Sequence, residues 1–127
     1  MAMHAPVTGP DMPKPLGPYS QAVRVGNLVF VAGQAGIDPT TGQAAVGGFE
    51  AEARQAYANL RAVLAAAGTG LEHVVKTITF VTSPDDVAAS GRLYAEFFPT
   101  DPPARSTPIV GLPRGLLFSI EAIAVVP

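Results

Sequence analysis

A chain of 127 residues with 48% hydrophobic and 14% charged side chains and a net charge of −2 makes one folded domain and excludes a disordered polyelectrolyte. The slightly acidic balance argues against nucleic acid or an anionic membrane surface as a partner. The absence of cysteine excludes disulfides and thiolate chemistry.

Little charge is available to cover the surface of a small domain, which points to an oligomer that hides apolar surface against its own copies. No window approaches ~18 uninterrupted apolar residues, so no membrane span is expected. The start, Met1-Ala2-Met3-His4-Ala5-Pro6, has no basic region followed by an apolar run. No signal peptide is expected, and the cytoplasm is the default location.

Five prolines (Pro6, Pro10, Pro13, Pro15 and Pro18) fall in the first eighteen residues, which makes this stretch irregular. Residues 1–15 are expected to form a flexible N-terminal segment and residues 16–127 the single domain. Tyr19 to Ala32 predicts a hairpin turning at Gly26-Asn27, with Leu28-Val29-Phe30-Val31-Ala32 as the return strand, ended by Gly33-Gln34-Ala35-Gly36. Residues 50–67 predict the clearest helix: Ala53, Ala56, Tyr57, Leu60, Val63, Leu64 and Ala67 share a stripe, with Arg54, Asn59 and Arg61 off it. Gly68 follows where a left-handed residue closes a helix.

Val74 to Thr82 predicts a strand, with Val74, Ile78 and Phe80 on one side and Val75, Thr77, Thr79 and Val81 on the other. Ser83-Pro84-Asp85-Asp86 announces a second helix through its cap, its proline and its acidic first turn. Val87, Ser90, Gly91, Tyr94, Phe97 and Phe98 are its expected inner face. A strand from Arg105 to about Val110 follows, then one from Leu116 to Val126. The order β-β-α-β-α-β-β is an α+β domain, with a mixed sheet and both helices on one face. Several strands are apolar on both sides, so the second face calls for burial against partner copies.

Arg105 is one candidate for chemistry. Read alone, an arginine is most often a solvated charge. Here Pro102-Pro103 stiffens the approach and an apolar strand follows, a setting in which the planar guanidinium suits a carboxylate. Glu121 interrupts an otherwise apolar strand, as half of a structural ion pair or as an acid/base. Tyr19 and Tyr94 read as core or interface residues. His4 and His73 are isolated, and no group has metal-ligand spacing. With no cofactor signature, the chemistry is limited to water, proton transfer and positioning.

Six stretches in order resemble the RidA (YjgF) family of reactive-intermediate deaminases. They are Gly17-Pro18-Tyr19-Ser20-Gln21, Val31-Ala32-Gly33-Gln34, Val75-Lys76-Thr77, Tyr94-Ala95-Glu96-Phe97-Phe98, Pro103-Ala104-Arg105-Ser106 and Ile120-Glu121-Ala122-Ile123-Ala124. The resemblance covers residue 16 to the end. It implies a chorismate-mutase-like fold, a homotrimer with sheets facing inward and clefts between subunits. The implied reaction is hydrolysis of 2-imino or enamine acids to 2-keto acids and ammonia, without a metal or other cofactor. It further implies that Arg105 grips a small-molecule carboxylate. Tyr19 and Thr107 would line the cleft, and the backbone of Gly33 would face the substrate. Where the family has two glutamates in the last strand, this chain has Ser119 and then Glu121; Ala32 and Gly91 also stand in place of a serine and an asparagine. A carboxylate-binding regulatory trimer and a ribonuclease are the alternative functions.

Overall fold

The structure, a computed structural model, describes residues 3–127. The expected flexibility of residues 1–15 therefore includes Met1 and Ala2, which lie outside the described residues. Among the described residues six strands and two α-helices follow one another: β1 (Ala5–Pro6), β2 (Ala22–Val25), β3 (Leu28–Ala35), α1 (Phe49–Ala66), β4 (Val74–Val81), α2 (Val87–Phe97), β5 (Ala104–Ser106) and β6 (Phe118–Val125). The strands form one mixed sheet in the order β1-β2-β3-β6-β4-β5. Every neighbouring pair is antiparallel except β4 and β5, which are parallel. The expected α+β architecture is present, with one short strand, β1, added at its N-terminal edge.

The hairpin turns at Gly26-Asn27, where Gly26 has φ 57°, a left-handed conformation that glycine adopts without a Cβ clash. β6 runs down the middle, between β3 and β4. Phe118, Ile120, Ala122 and Ala124 are buried, while Ser119, Glu121, Ile123 and Val125 are half-buried on the open side. The buried row meets α1, whose Tyr57, Leu60, Val63 and Leu64 have no exposure. Burying each such side chain stabilises by roughly 1.5–3 kcal/mol. The helix closes as its glycine predicts. Gly68 has φ 82°, its N–H donates to Ala65 O, and the N–H of Thr69 donates to Leu64 O. These are the paired bonds of a Schellman motif.

Five expectations need correction. β3 continues through Gly33-Gln34 to Ala35, because a bulge between Val31 and Gln34 lets the strand resume pairing with β6. Asn59 is buried on α1, not off its stripe, and donates to Ala35 O and Ile37 O. On β4 a register shift between Val74 and Lys76 puts Val74 on the buried side with Thr77, Thr79 and Val81, and leaves Val75 exposed. On α2 the buried residues are Ser90, Leu93 and Tyr94, with Val87 exposed. The strand at Arg105 is only three residues long, and Ile109 returns to the sheet as an isolated bridge to Val81. Pro108, which has no N–H to donate, interrupts the ladder between them.

Candidate functional site

The candidate residues fall into two groups on different parts of the sheet. The first group lies where β3 meets β6. Ala32 and Gly33 form the bulged pair of β3, between the Val31–Ala122 and Gln34–Ile120 pairings, and so lie across from Glu121. A bulge bends the strand and frees backbone from the ladder. Ser119 closes in beside it: a Cβ built on Gly33 would stand 2.9 Å from Ser119 Oγ. Ser119 and Glu121 are on the open face of β6, about 6–7 Å apart along the strand.

Tyr19 reaches the same neighbourhood from the loop before β2, and its hydroxyl accepts a 3.2 Å bond from the Leu16 N–H. Tyr19 and Gly33 line one cavity of about 440 Å³ with Gln21, Gln34, Ile37 and Asn59. Its inner wall is a polar ladder. Gln34 Nε2 donates to Gln21 Oε1 at 2.8 Å, Gln21 Nε2 donates to Pro13 O at 3.0 Å, and Asn59 holds the carbonyls of Ala35 and Ile37. These amides hold the backbone around Gly33, a role that sequence reasoning missed. A signal was present, since Glu52, Ala56 and Asn59 fall on the buried stripe of α1. The Glu52 carboxylate accepts the Leu117 N–H at 2.9 Å and anchors the entry to β6.

The second group lies at the β5 edge of the sheet. Arg105 is on β5, paired with Thr77 of β4. Directly paired residues point their side chains to the same side, and Thr77 faces the helices, where its Oγ1 shares a 2.6 Å hydrogen bond with Tyr94 OH. The Arg105 guanidinium accordingly lies over the Tyr94 ring, 4.5 Å from its centroid. Thr107 follows on the same side, its hydroxyl 3.0 Å from that of Thr79. Arg105 is exposed and, among the described residues, makes no ion pair. Burial pushes the Tyr94 phenol above its ordinary 10.0, while the bond with Thr77 and the Arg105 charge pull it back.

Two strands, β6 and β4, separate β3 from β5. Three strand spacings of ~4.8 Å put Gly33 about 14 Å from Arg105, and two put Glu121 about 10 Å from it. They also use opposite faces: Glu121 is paired with Ile78 on the open side, whereas Arg105 sits over α2. One chain does not bring Arg105 and Glu121 together. Glu121 instead borders a groove of about 250 Å³ with Phe30, Lys76, Ile78 and Ile123. Among the described residues it has no ion-pair partner, and no group of His, Asp or Glu could hold a metal ion.

The fold and the site define a class: a small α+β domain with helices on one side of a mixed sheet, an open second side, and a lone exposed arginine at the sheet edge. The profile of the Endoribonuclease L-PSP family matches residues 9–126. The chain belongs to this family, the RidA (YjgF) family that its motifs resemble. It is 43% identical over 115 residues to a RutC family protein of Pyrococcus horikoshii, covering 90% of this chain and 91% of that one. It is 42% identical over 114 residues to the 2-iminobutanoate/2-iminopropanoate deaminase of Mus musculus, covering 89% of this chain and 84% of the relative. The solved structure of E. coli TdcF with bound serine superposes with a TM-score of 0.88 at 33% identity, covering 95% of this chain and 98% of that one.

Proposed function

We propose that the protein hydrolyses 2-imino acids, or their enamine tautomers, to 2-keto acids and ammonia, in clefts between the subunits of a homotrimer. One subunit supplies Arg105 and Thr107; its neighbour supplies Tyr19, Gly33, Ser119 and Glu121. The observation that carries this reading is Arg105 itself, an exposed guanidinium without an ion-pair partner among the described residues, seated on an aromatic ring. Support comes also from the mouse relative, named an imine deaminase. The separation of the two groups across the sheet supports a shared cleft.

The in-plane N–H groups of Arg105 hold the substrate carboxylate through charge-assisted bonds. Each contributes roughly 1.5–3 kcal/mol. Water adds to the imine carbon, giving a tetrahedral carbinolamine. Proton transfer to nitrogen and cleavage of the C–N bond release ammonia and leave the keto group. Glu121 moves the proton through an intervening water, since Ser119 offers a neutral hydroxyl where a carboxylate would bind that water directly. Positioning supplies much of the acceleration, because imines hydrolyse unaided.

The test is the decay of 2-iminobutyrate generated beside the purified protein. Wild type accelerates decay, and Arg105→Ala returns it to the buffer rate. Equal rates for wild type and buffer remove the catalytic reading. Ser119 favours one second reading, a trimer that binds small carboxylates through Arg105 without turnover. Saturable 2-oxobutyrate binding without imine decay identifies that case. A ribonuclease is disfavoured by the net charge of −2, and steeply salt-dependent RNA binding would reinstate it. No helix among the described residues is long and apolar enough to cross a membrane, and the cytoplasm is the proposed location.

A further inference from the structure

We propose that Tyr94, fixed by Thr77, is a positioning residue that aims the Arg105 guanidinium at the substrate carboxylate. The inference rests on the reading of Arg105 as a carboxylate clamp and adds what holds the clamp still. Three observations close a triangle. The backbone of Arg105 pairs with Thr77 in the parallel β4–β5 ladder. The Thr77 side chain, 1% exposed, is bonded to Tyr94 OH at 2.6 Å. The Tyr94 ring, 6% exposed, lies 4.5 Å beneath the Arg105 guanidinium. Arginine and ring are thus referenced to one residue of an inner strand.

The geometry suits a clamp better than an ion pair would. An acidic neighbour would occupy the in-plane N–H donors that a carboxylate needs. A ring uses only the face of the guanidinium, through its quadrupole, and leaves the donor fork free. The ring is also a firm support, since its hydroxyl points inward to Thr77 and, at 3.4 Å, to Pro103 O. β5 is three exposed residues long, so the strand offers little other restraint on a long, flexible side chain.

Tyr94→Leu removes the ring, and Thr77→Val, close to isosteric, releases the hydroxyl. For Tyr94→Leu, KM for 2-iminobutyrate and Kd for 2-oxobutyrate are expected to rise about tenfold, with kcat within about twofold of wild type. Thr77→Val is expected to raise both about threefold. In the NMR spectrum of the wild type the Arg105 Nε–Hε resonance is expected to carry an upfield ring-current shift, which Tyr94→Leu should abolish. A purely structural role lowers the melting temperature and leaves KM and Kd in place. Unchanged KM and Kd in a folded variant overturn the proposal; if Tyr94→Leu does not fold, Thr77→Val decides. Arg105→Ala, measured alongside, separates the two readings. If it binds 2-oxobutyrate like wild type, the clamp itself falls. If it loses binding while Tyr94→Leu and Thr77→Val keep it, only the positioning role falls.

Discussion

The middle of the sheet and its β5 edge are built by opposite means. Around Gly33 the work is done by backbone and neutral amides. A bulge exposes the strand, Gln34 donates to Gln21 and to Ala32 O, Asn59 donates to Ala35 O and Ile37 O, and α1 presses against the loop. At Gly36 that contact is so close that an added Cβ would stand 2.2 Å from Glu52 O. Around Arg105 a three-residue edge strand carries one charge over one ring. The first region is held by many buried groups and owes its shape to the core. The second is held by few and owes its properties to one side chain. Changes near Gly33 should therefore register first as lost stability, and changes at Arg105 as lost binding.

That contrast can be broken at several points. Gly36→Ala should cost about 3 kcal/mol, because helix backbone cannot yield to a new methyl as a side-chain tip can. Urea melts that match wild type would show that the Gly33 region is not locked. Asn59→Ala should cost about 2 kcal/mol by leaving two buried carbonyls without their donor. The denaturant midpoint reads this, and a loss below about 0.5 kcal/mol would mean that the amide ladder is incidental. Arg105→Ala should change stability by no more than about 0.5 kcal/mol, as an exposed edge substitution, while carboxylate binding is lost. A large drop in its melting temperature would erase the difference between the two regions.

The smallest effect belongs to Tyr57, whose buried hydroxyl has no hydrogen-bond partner among the described residues. Tyr57→Phe should be neutral or stabilising by up to about 1 kcal/mol, because it removes a desolvated group that forms no bond. Burial, and then the neighbouring Tyr94, push the Tyr57 phenol well above its ordinary 10.0, against the pull of Arg105; burial likewise raises Tyr94. Both hold their protons more tightly folded than unfolded. Stability from this source is present below pH ~10 and falls as pH rises above it. Melting temperatures between pH 8 and 11 should decline less steeply in Tyr57→Phe than in wild type.

Periodicity made the elements legible. The stripe from Ala53 to Ala67 and the alternation from Leu116 to Val126 needed only a helix period and a strand period, and both elements are present with those buried faces. The two-residue turn at Gly26-Asn27 and the glycine after α1 were legible for the same local reason. What failed was anything decided by a neighbouring strand. The bulges at Val31/Gln34 and Val74/Lys76 shift register by one residue, which exchanges faces. Gly33 is a signal for the first, since glycine inside a strand often marks a bulge, but no residue announces the second. Asn59 looked like surface because an amide is polar, yet its partners are carbonyls more than twenty residues away.

The sequence by itself determined the number and type of the main elements, the α+β class and the identity of Arg105 as the cation to examine, because these depend on local pattern and residue chemistry. Only the tertiary structure decided that Arg105 lies on the helix side over Tyr94 while Glu121 and Ser119 face the other way. The side a strand residue occupies, and what stands beneath it, follow from pairing with distant strands, and that pairing is set by packing of the whole sheet.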